Sequence, residues 1–285
     1  MKHGLLLMDK EQIIDRFKNY VELLIFPDWI KENLVNFEGN RTEYLCFPHY
    51  FSEAFDSLPS RKLDLLAFAG FLLYNSMRSK DNFIDQDIAF SPKTLEETSY
   101  LEEECIKTLC QIFPINSELW TIWNERKREF YKSVATEKQK AQHEDLEAFE
   151  RYAEQKYAVG KIAIDSLYML SSKIATDNYH CLLSSFTDYA AGLQVLDDLQ
   201  DLAADFNSKR PNIILYHLQK EGQNLTVSEA EIQVKAAALK PAMLQLALSY
   251  FEKALRRLRQ QELEALPWYH LLESHLERVK KLLVK

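Results

Sequence analysis

At 285 residues the chain lies near the upper limit for one hydrophobic core, and a domain of that size buries about 75% of its unfolded surface. Six glycines and eight prolines punctuate a sequence dominated by Leu, Ala, Glu and Lys, a composition that suits long helices and predicts an all-α, single helical-bundle domain over residues 1–285. A net charge of −8 argues against a nucleic-acid partner, whose phosphates call for a basic face.

The opening stretch, Met1 to Met8, is followed at once by Asp9-Lys10-Glu11, so its apolar run is too short for a signal-peptide core. No uncharged apolar stretch reaches the length of about 18 residues that spans a bilayer, so no membrane span is expected and the cytoplasm is the expected location. Asp9 to Phe26 reads as a helix closed by Pro27. Residues 36–59 interleave Phe37, Tyr44, Phe47, Tyr50, Phe51 and Phe55 with Gly39, Pro48 and Pro59, which predicts short elements packing over the core or over a pocket mouth. Ser60 is the expected N-cap of a helix whose stretch from Leu63 to Met77 is almost unbroken apolar sequence, hence buried on most sides. Further helices are predicted over 94–112, 117–150, 150–176, 178–206, 212–221, 227–239, 240–262 and 266–284. Gly160 and Gly192 fall inside helices, where each costs about 1 kcal/mol against alanine and marks either a helix break or a close approach by a neighbour. Cys46, Cys105, Cys110 and Cys181 show no Cys-x-x-Cys pairing and read as buried thiols. His143, His217 and His270 read as surface or boundary residues.

The chemistry is concentrated in the run from Gly192 to Asp205. Asp197, Asp201 and Asp205 stand at i, i+4 and i+8, which stacks three carboxylates on one helix face over about 12 Å. Like charges four apart cost a helix about 0.2–0.5 kcal/mol per pair, and no Lys or Arg between Lys173 and Lys209 relieves them. A hard divalent cation would. Mg2+ binds through a few carboxylates plus the phosphate oxygens of a substrate, which points to a diphosphate. Asp81 and Asp85 form a second pair four apart at the end of the apolar helix that follows Ser60. Such a pair alone is usually a solvated helix end, but two clusters that emerge from two core helices would repel if their ends met without bridging ions.

Other chemistries find little support. A di-iron carboxylate bundle needs Glu-x-x-His, and none of the seven histidines has Glu three residues before it. Neither a Gly-x-Ser-x-Gly elbow nor a glycine-rich phosphate loop occurs.

These residues resemble the class I isoprenoid synthases, the superfamily of trans-prenyltransferases, squalene/phytoene synthases and class I terpene cyclases. Gln194-Val-Leu-Asp197-Asp198-Leu-Gln-Asp201 matches the second aspartate-rich motif, Q-x-x-D-D-x-x-D, with Asp205 extending it as in terpene cyclases. Asp81-Asn-Phe-Ile-Asp85 matches the first, D-D-x-x-D, except that Asn82 stands where the family has aspartate. Lys156 resembles the diphosphate-binding lysine that precedes a helix break, and Arg151 the arginine that senses diphosphate in cyclases. Lys209 and Arg210 are positioned in sequence to close over a diphosphate. The likeness spans about residues 60–215.

The resemblance implies that Asp81 and Asp85 face Asp197, Asp201 and Asp205 across a bundle mouth and hold about three Mg2+ ions, with Mn2+ as a substitute. The ions, with Arg151, Lys156, Lys209 and Arg210, would stabilise the departing diphosphate of a prenyl substrate and leave an allylic cation. Gln194, Tyr74 and Tyr157 join the expected substrate contacts, and Phe68, Phe71, Leu72, Phe186 and Tyr189 the wall of a central apolar cavity, although ordinary core packing is the simpler role for those aromatics. The chain contains no Gly-Gly pair, whereas chain-elongating members carry a Gly-Gly-Lys-Arg segment. That departure favours a terpene synthase of the large-terpene type over a prenyltransferase joining two diphosphate units. A catalytically silent helical interaction module is the third reading. Related folds often dimerise, so a homodimer is expected.

Overall fold

A computed structural model of the chain describes residues 2–37, 42–55, 58–84, 91–139, 143–171, 175–222 and 228–284, and for residues 2–9, 82 and 84 the backbone alone. Among these residues the regular structure is all helical: α1 (Lys2–Leu23), α2 (Asp28–Val35), α3 (Thr42–Phe51), α4 (Ser60–Ile84), α5 (Pro92–Cys110), α6 (Leu119–Lys138), α7 (Leu146–Lys156), α8 (Ile162–Leu170), α9 (Thr176–Ser208), α10 (Ile213–Lys220), α11 (Glu229–Gln260) and α12 (Pro267–Leu283), with short 3-10 turns at Ser52–Ala54 and Ala158–Lys161. Among the described residues no helix is long and apolar enough to cross a membrane.

The chain divides into two compact units. The first comprises residues 1–124, 159–179 and 266–268, and the second residues 125–158, 180–265 and 269–285. In the first, α4 packs along α5 and against α3 and α8, with α1 beside it. The aromatic-rich segment after residue 36 supplies core. Phe17 meets Phe71 edge-on at 5.0 Å and lies 5.4 Å from Phe68, while Phe51 sets its ring 4.9 Å from Trp268. Phe68, Phe71 and Leu72 are therefore core residues rather than an open wall. This unit holds an apolar cavity of about 20 Å³ between Tyr44, Gly70, Trp123, Gly160 and Ser166, about the space one water needs.

In the second unit the long helices α9 and α11 approach each other at Gly192, where a Cβ would stand 2.9 Å from two carbons of the Phe251 ring. Phe251 is fully buried, with His275 stacked on it at 5.6 Å, so the ring has nowhere to go. Glycine is there for proximity. Phe186 and Tyr189 belong to the same core, Tyr189 being 6.2 Å from Phe251, which removes them from the expected cavity wall. Gly192→Ala is expected to cost about 1–3 kcal/mol by overpacking, less the fraction of a kcal/mol to about 1 that alanine returns in helix propensity. Thermal unfolding checks this, and a variant more stable than wild type would contradict the close approach.

Several boundaries depart from the sequence reading for local reasons. The 117–150 helix is two, because Asp145 caps α7 by accepting from the Ala148 N–H at 2.7 Å. Pro241 does not divide α11. It lies on the exposed face, and so does Ala237, whose carbonyl loses its partner to the proline and can turn to water. At α4 the helix starts with Ser60 itself, and the Pro59 carbonyl accepts from Lys62 N–H at 2.8 Å. Segment 28–35, to which the sequence reading assigns no element, is helix α2. His143 is buried rather than at the surface, and burial pushes its pKa down to about 4. All four cysteines are free thiols, but Cys110 is exposed and Cys181 half-buried, so only Cys46 and Cys105 are the buried thiols expected.

Candidate active site

Gly160 marks a helix break: α7 ends at Lys156, a 3-10 turn follows, and α8 begins at Ile162. The break leaves Lys156 and Tyr157 at the end of α7, and in the second unit both are directed to the acidic stretch of α9. The Tyr157 hydroxyl donates to Asp197 Oδ2 at 2.7 Å. Lys156 is close enough that its charge favours the ionised form of Asp197, Asp198 and Asp205 together. One ammonium thus serves three carboxylates.

Those carboxylates differ. Asp201 is exposed, whereas burial raises the pKa of Asp197 and Asp205, and the like charge of Asp201 raises both further. Asp198 is buried, accepts from Gln194 Nε2 at 2.6 Å and from the Ile213 N–H at 2.6 Å, and is still pushed up to about 7 by burial. It joins α9 to the start of α10. Asn212, fully buried, completes that joint by donating to the Asp198 carbonyl and to Asp205 Oδ2, both at 2.8 Å, and by capping α10 through the Ile214 N–H at 2.9 Å.

The donor chemistry fits the magnesium that the motif implies. Asp197, Asp201 and Asp205 offer hard oxygens on one helix face, and the upward pressure of Asp201 on both neighbours is the repulsion a shared cation would relieve. Among the described residues no three His, Cys, Asp or Glu side chains are already gathered as a metal cluster. Because Tyr157 stabilises the charged form of Asp197, Tyr157→Phe is expected to raise that carboxyl's pKa. A carbon-13 NMR titration reads it directly, and an Asp197 titrating at the same or lower pH than in wild type would contradict the assigned contact.

The remaining predicted residues are less concentrated. Arg210 is near enough to lower the pKa of Asp205, and its N–H closes α9 on the Asp205 carbonyl at 2.9 Å. Lys209 is exposed and ends the helix with φ 59°. Arg151 is five residues from Lys156, about 140° around α7. It pairs with Glu147 at 2.6 Å and lines a separate charged cavity of about 300 Å³, in which buried Asp188 is held by Lys253 at 2.9 Å and Arg257 at 2.5 Å. Arg151 is not among the groups brought to Asp197. In the first unit Tyr74 stacks on Tyr44 at 3.8 Å, and Asp81 lies in the last turn of α4, partly exposed. Asp85 falls outside the described residues.

Glu137, Tyr152 and Asn212 carry no motif in the sequence, and each acquires its role from a partner on another helix or another turn. Asp198 stood inside the matched motif with no separate role.

Among solved structures the chain is similar to geranylgeranyl pyrophosphate synthetase from Pyrococcus horikoshii, at 14% identity and TM-score 0.74 over 98% of this chain and 99% of that one. It is similar as well to heptaprenyl diphosphate synthase from Staphylococcus aureus, at 13% identity and TM-score 0.71 over 98% of each chain. Geranyltranstransferase from Thermotoga maritima aligns at 16% identity and TM-score 0.68 over 97% of this chain and 99% of that one. No protein-family model matches the chain, and no curated protein does. The fold is therefore shared with these geranylgeranyl and heptaprenyl diphosphate synthases.

Proposed function

We propose that the chain is a Mg2+-dependent prenyltransferase, which ionises an allylic prenyl diphosphate and joins the resulting cation to a second prenyl unit. The observation that carries the reading is the α9 stripe of three carboxylates with Lys156 beside two of them, Asp197 and Asp205, on a fold whose neighbours are named for making prenyl diphosphates. In this reading Asp197, Asp201 and Asp205 hold the metal ions, with Asp81 and Asp85 as their proposed counterparts, and bound Mg2+ supplies Lewis-acid stabilisation of the departing diphosphate. Lys156 adds a fixed positive charge where negative charge develops. Arg210 and Lys209 are the proposed cations at the far end of the stripe, and Gln194 holds Asp198 in place. Arg151, which pairs with Glu147 on the exposed face of α7, is left out of this proposal.

The absent Gly-Gly pair favours a second reading, a terpene synthase that uses one diphosphate and closes the cation on itself. The two differ in acceptor. Incubation with C10, C15, C20 and C25 prenyl diphosphates and Mg2+, with and without a non-allylic prenyl diphosphate, separates them. The prenyltransferase reading expects a longer product only with both substrates present. Hydrocarbon formed from one substrate alone would replace it with the synthase, and no turnover of any substrate would leave the silent module.

A further inference from the structure

Within the second unit, Lys156 has a fixed side as well as a working side. Its ammonium lies 3.2 Å from Glu137 Oε1 on α6 and 3.3 Å from the Tyr152 hydroxyl one turn back on α7, with the Tyr152 ring beneath it at 5.7 Å. Tyr152 in turn donates to the same Glu137 oxygen. Glu137 is 6% exposed and Tyr152 4%, so both partners are set in packed surroundings, with His143 against the Tyr152 ring at 5.2 Å. The other carboxylate oxygen of Glu137, Oε2, is buried and has no hydrogen-bond partner among the described residues. A buried carboxylate normally binds through both oxygens, yet the two donors here converge on Oε1, the side on which Lys156 lies. Lysine carries a point charge on a flexible four-carbon stem and has no geometry of its own. A rigid acceptor behind it supplies one.

We propose that Glu137 is the positioning residue of this site: with Tyr152 it fixes the Lys156 ammonium against the α9 carboxylates, so that the charge is already in place when a diphosphate arrives. The inference rests on the proposed diphosphate chemistry and adds a residue that no aspartate motif contains. Glu137 touches no substrate and acts through Lys156 alone.

A double-mutant cycle tests this. Glu137→Ala is expected to lower kcat for prenyl diphosphate ionisation about 10- to 100-fold, the scale of a misplaced charged group, and to weaken calorimetric binding of inorganic pyrophosphate with Mg2+. In the Lys156→Met background the same substitution is expected to change neither. Glu137→Gln keeps an oxygen at Oε1 and is expected to recover most of the loss. If Glu137→Ala does not fold, Tyr152→Phe, which removes the hydroxyl shared by both partners, enters the cycle in its place with a smaller expected loss of the same pattern. Equal effects with and without Lys156, a Gln variant as impaired as the Ala variant, or wild-type kcat in a destabilised variant would each overturn the positioning role. Wild-type protein that neither binds pyrophosphate nor ionises any prenyl diphosphate would instead sink the function from which the inference starts.

Discussion

Asp201→Ala is expected to reduce Mg2+-dependent diphosphate release about 10²- to 10³-fold, the loss typical of removing one electrostatic contact to a transition state. The same variant is expected to keep its stability to within about 0.5 kcal/mol, as exposed substitutions usually do. That combination is informative because Asp201 is exposed and lies between two carboxylates whose pKa it raises. A residue retained only for folding would not be placed there. Asp197→Ala is expected to abolish turnover as well, but it also strands the Tyr157 hydroxyl, so its stability cost is larger and its reading less clean. Raising Mg2+ concentration should recover part of the Asp201→Ala activity, since two of the stripe's carboxylates remain. Full activity in both variants would remove α9 from the chemistry.

Asn212→Ala carries the largest expected stability effect. One side chain caps α10, ties it to the Asp198 carbonyl and donates to Asp205, and it is fully buried. Loss of the cap costs about 1 kcal/mol, and a buried acceptor left without its donor about 1–3 kcal/mol, so a total of about 2–4 kcal/mol is expected by chemical denaturation. Asn212→Ser keeps a capping oxygen and loses the amide donor, so it should recover about 1 kcal/mol of that. The loss also reaches the site, because the Asn212 amide, with Lys156 and Arg210, favours the charged form of Asp205. The Asp205 carboxyl should therefore titrate at higher pH in both variants. A stable Asn212→Ala protein would show that α9 and α10 are not joined as described.

Much of the site is legible in the sequence because it lies within one helix. The i, i+4, i+8 spacing of Asp197, Asp201 and Asp205 needs no tertiary information to place them on one face. Gly160 announced either a break or a contact, and the break is what lets Lys156 and Tyr157 end α7 beside those carboxylates. Gly192 offered the same alternatives and took the other, because Phe251 arrives from a helix about sixty residues later. What stayed illegible depends on such distant partners. Asp198 reads as one more member of an acidic motif until the Ile213 N–H and Gln194 are seen to occupy its oxygens. Arg151 resembles a diphosphate-sensing arginine in sequence, and its pairing with Glu147 is visible only in the structure. The α6–α7 division is hidden because residues 137–144 are charged and helix-compatible; what the structure adds is the fresh start of α7 at its Asp145 cap. The continuous α11 was hidden by a proline tolerated on its exposed face.

The α9 carboxylates and Lys156 are proposed to make a metal-dependent diphosphate site together. Isothermal titration of wild-type protein with inorganic pyrophosphate, in Mg2+ and again in excess EDTA, tests it most directly, with Asp197→Ala as the control. Binding that requires Mg2+ and disappears in the Asp197→Ala protein is the predicted result. Equal affinity in EDTA, or affinity unchanged by the substitution, would contradict it.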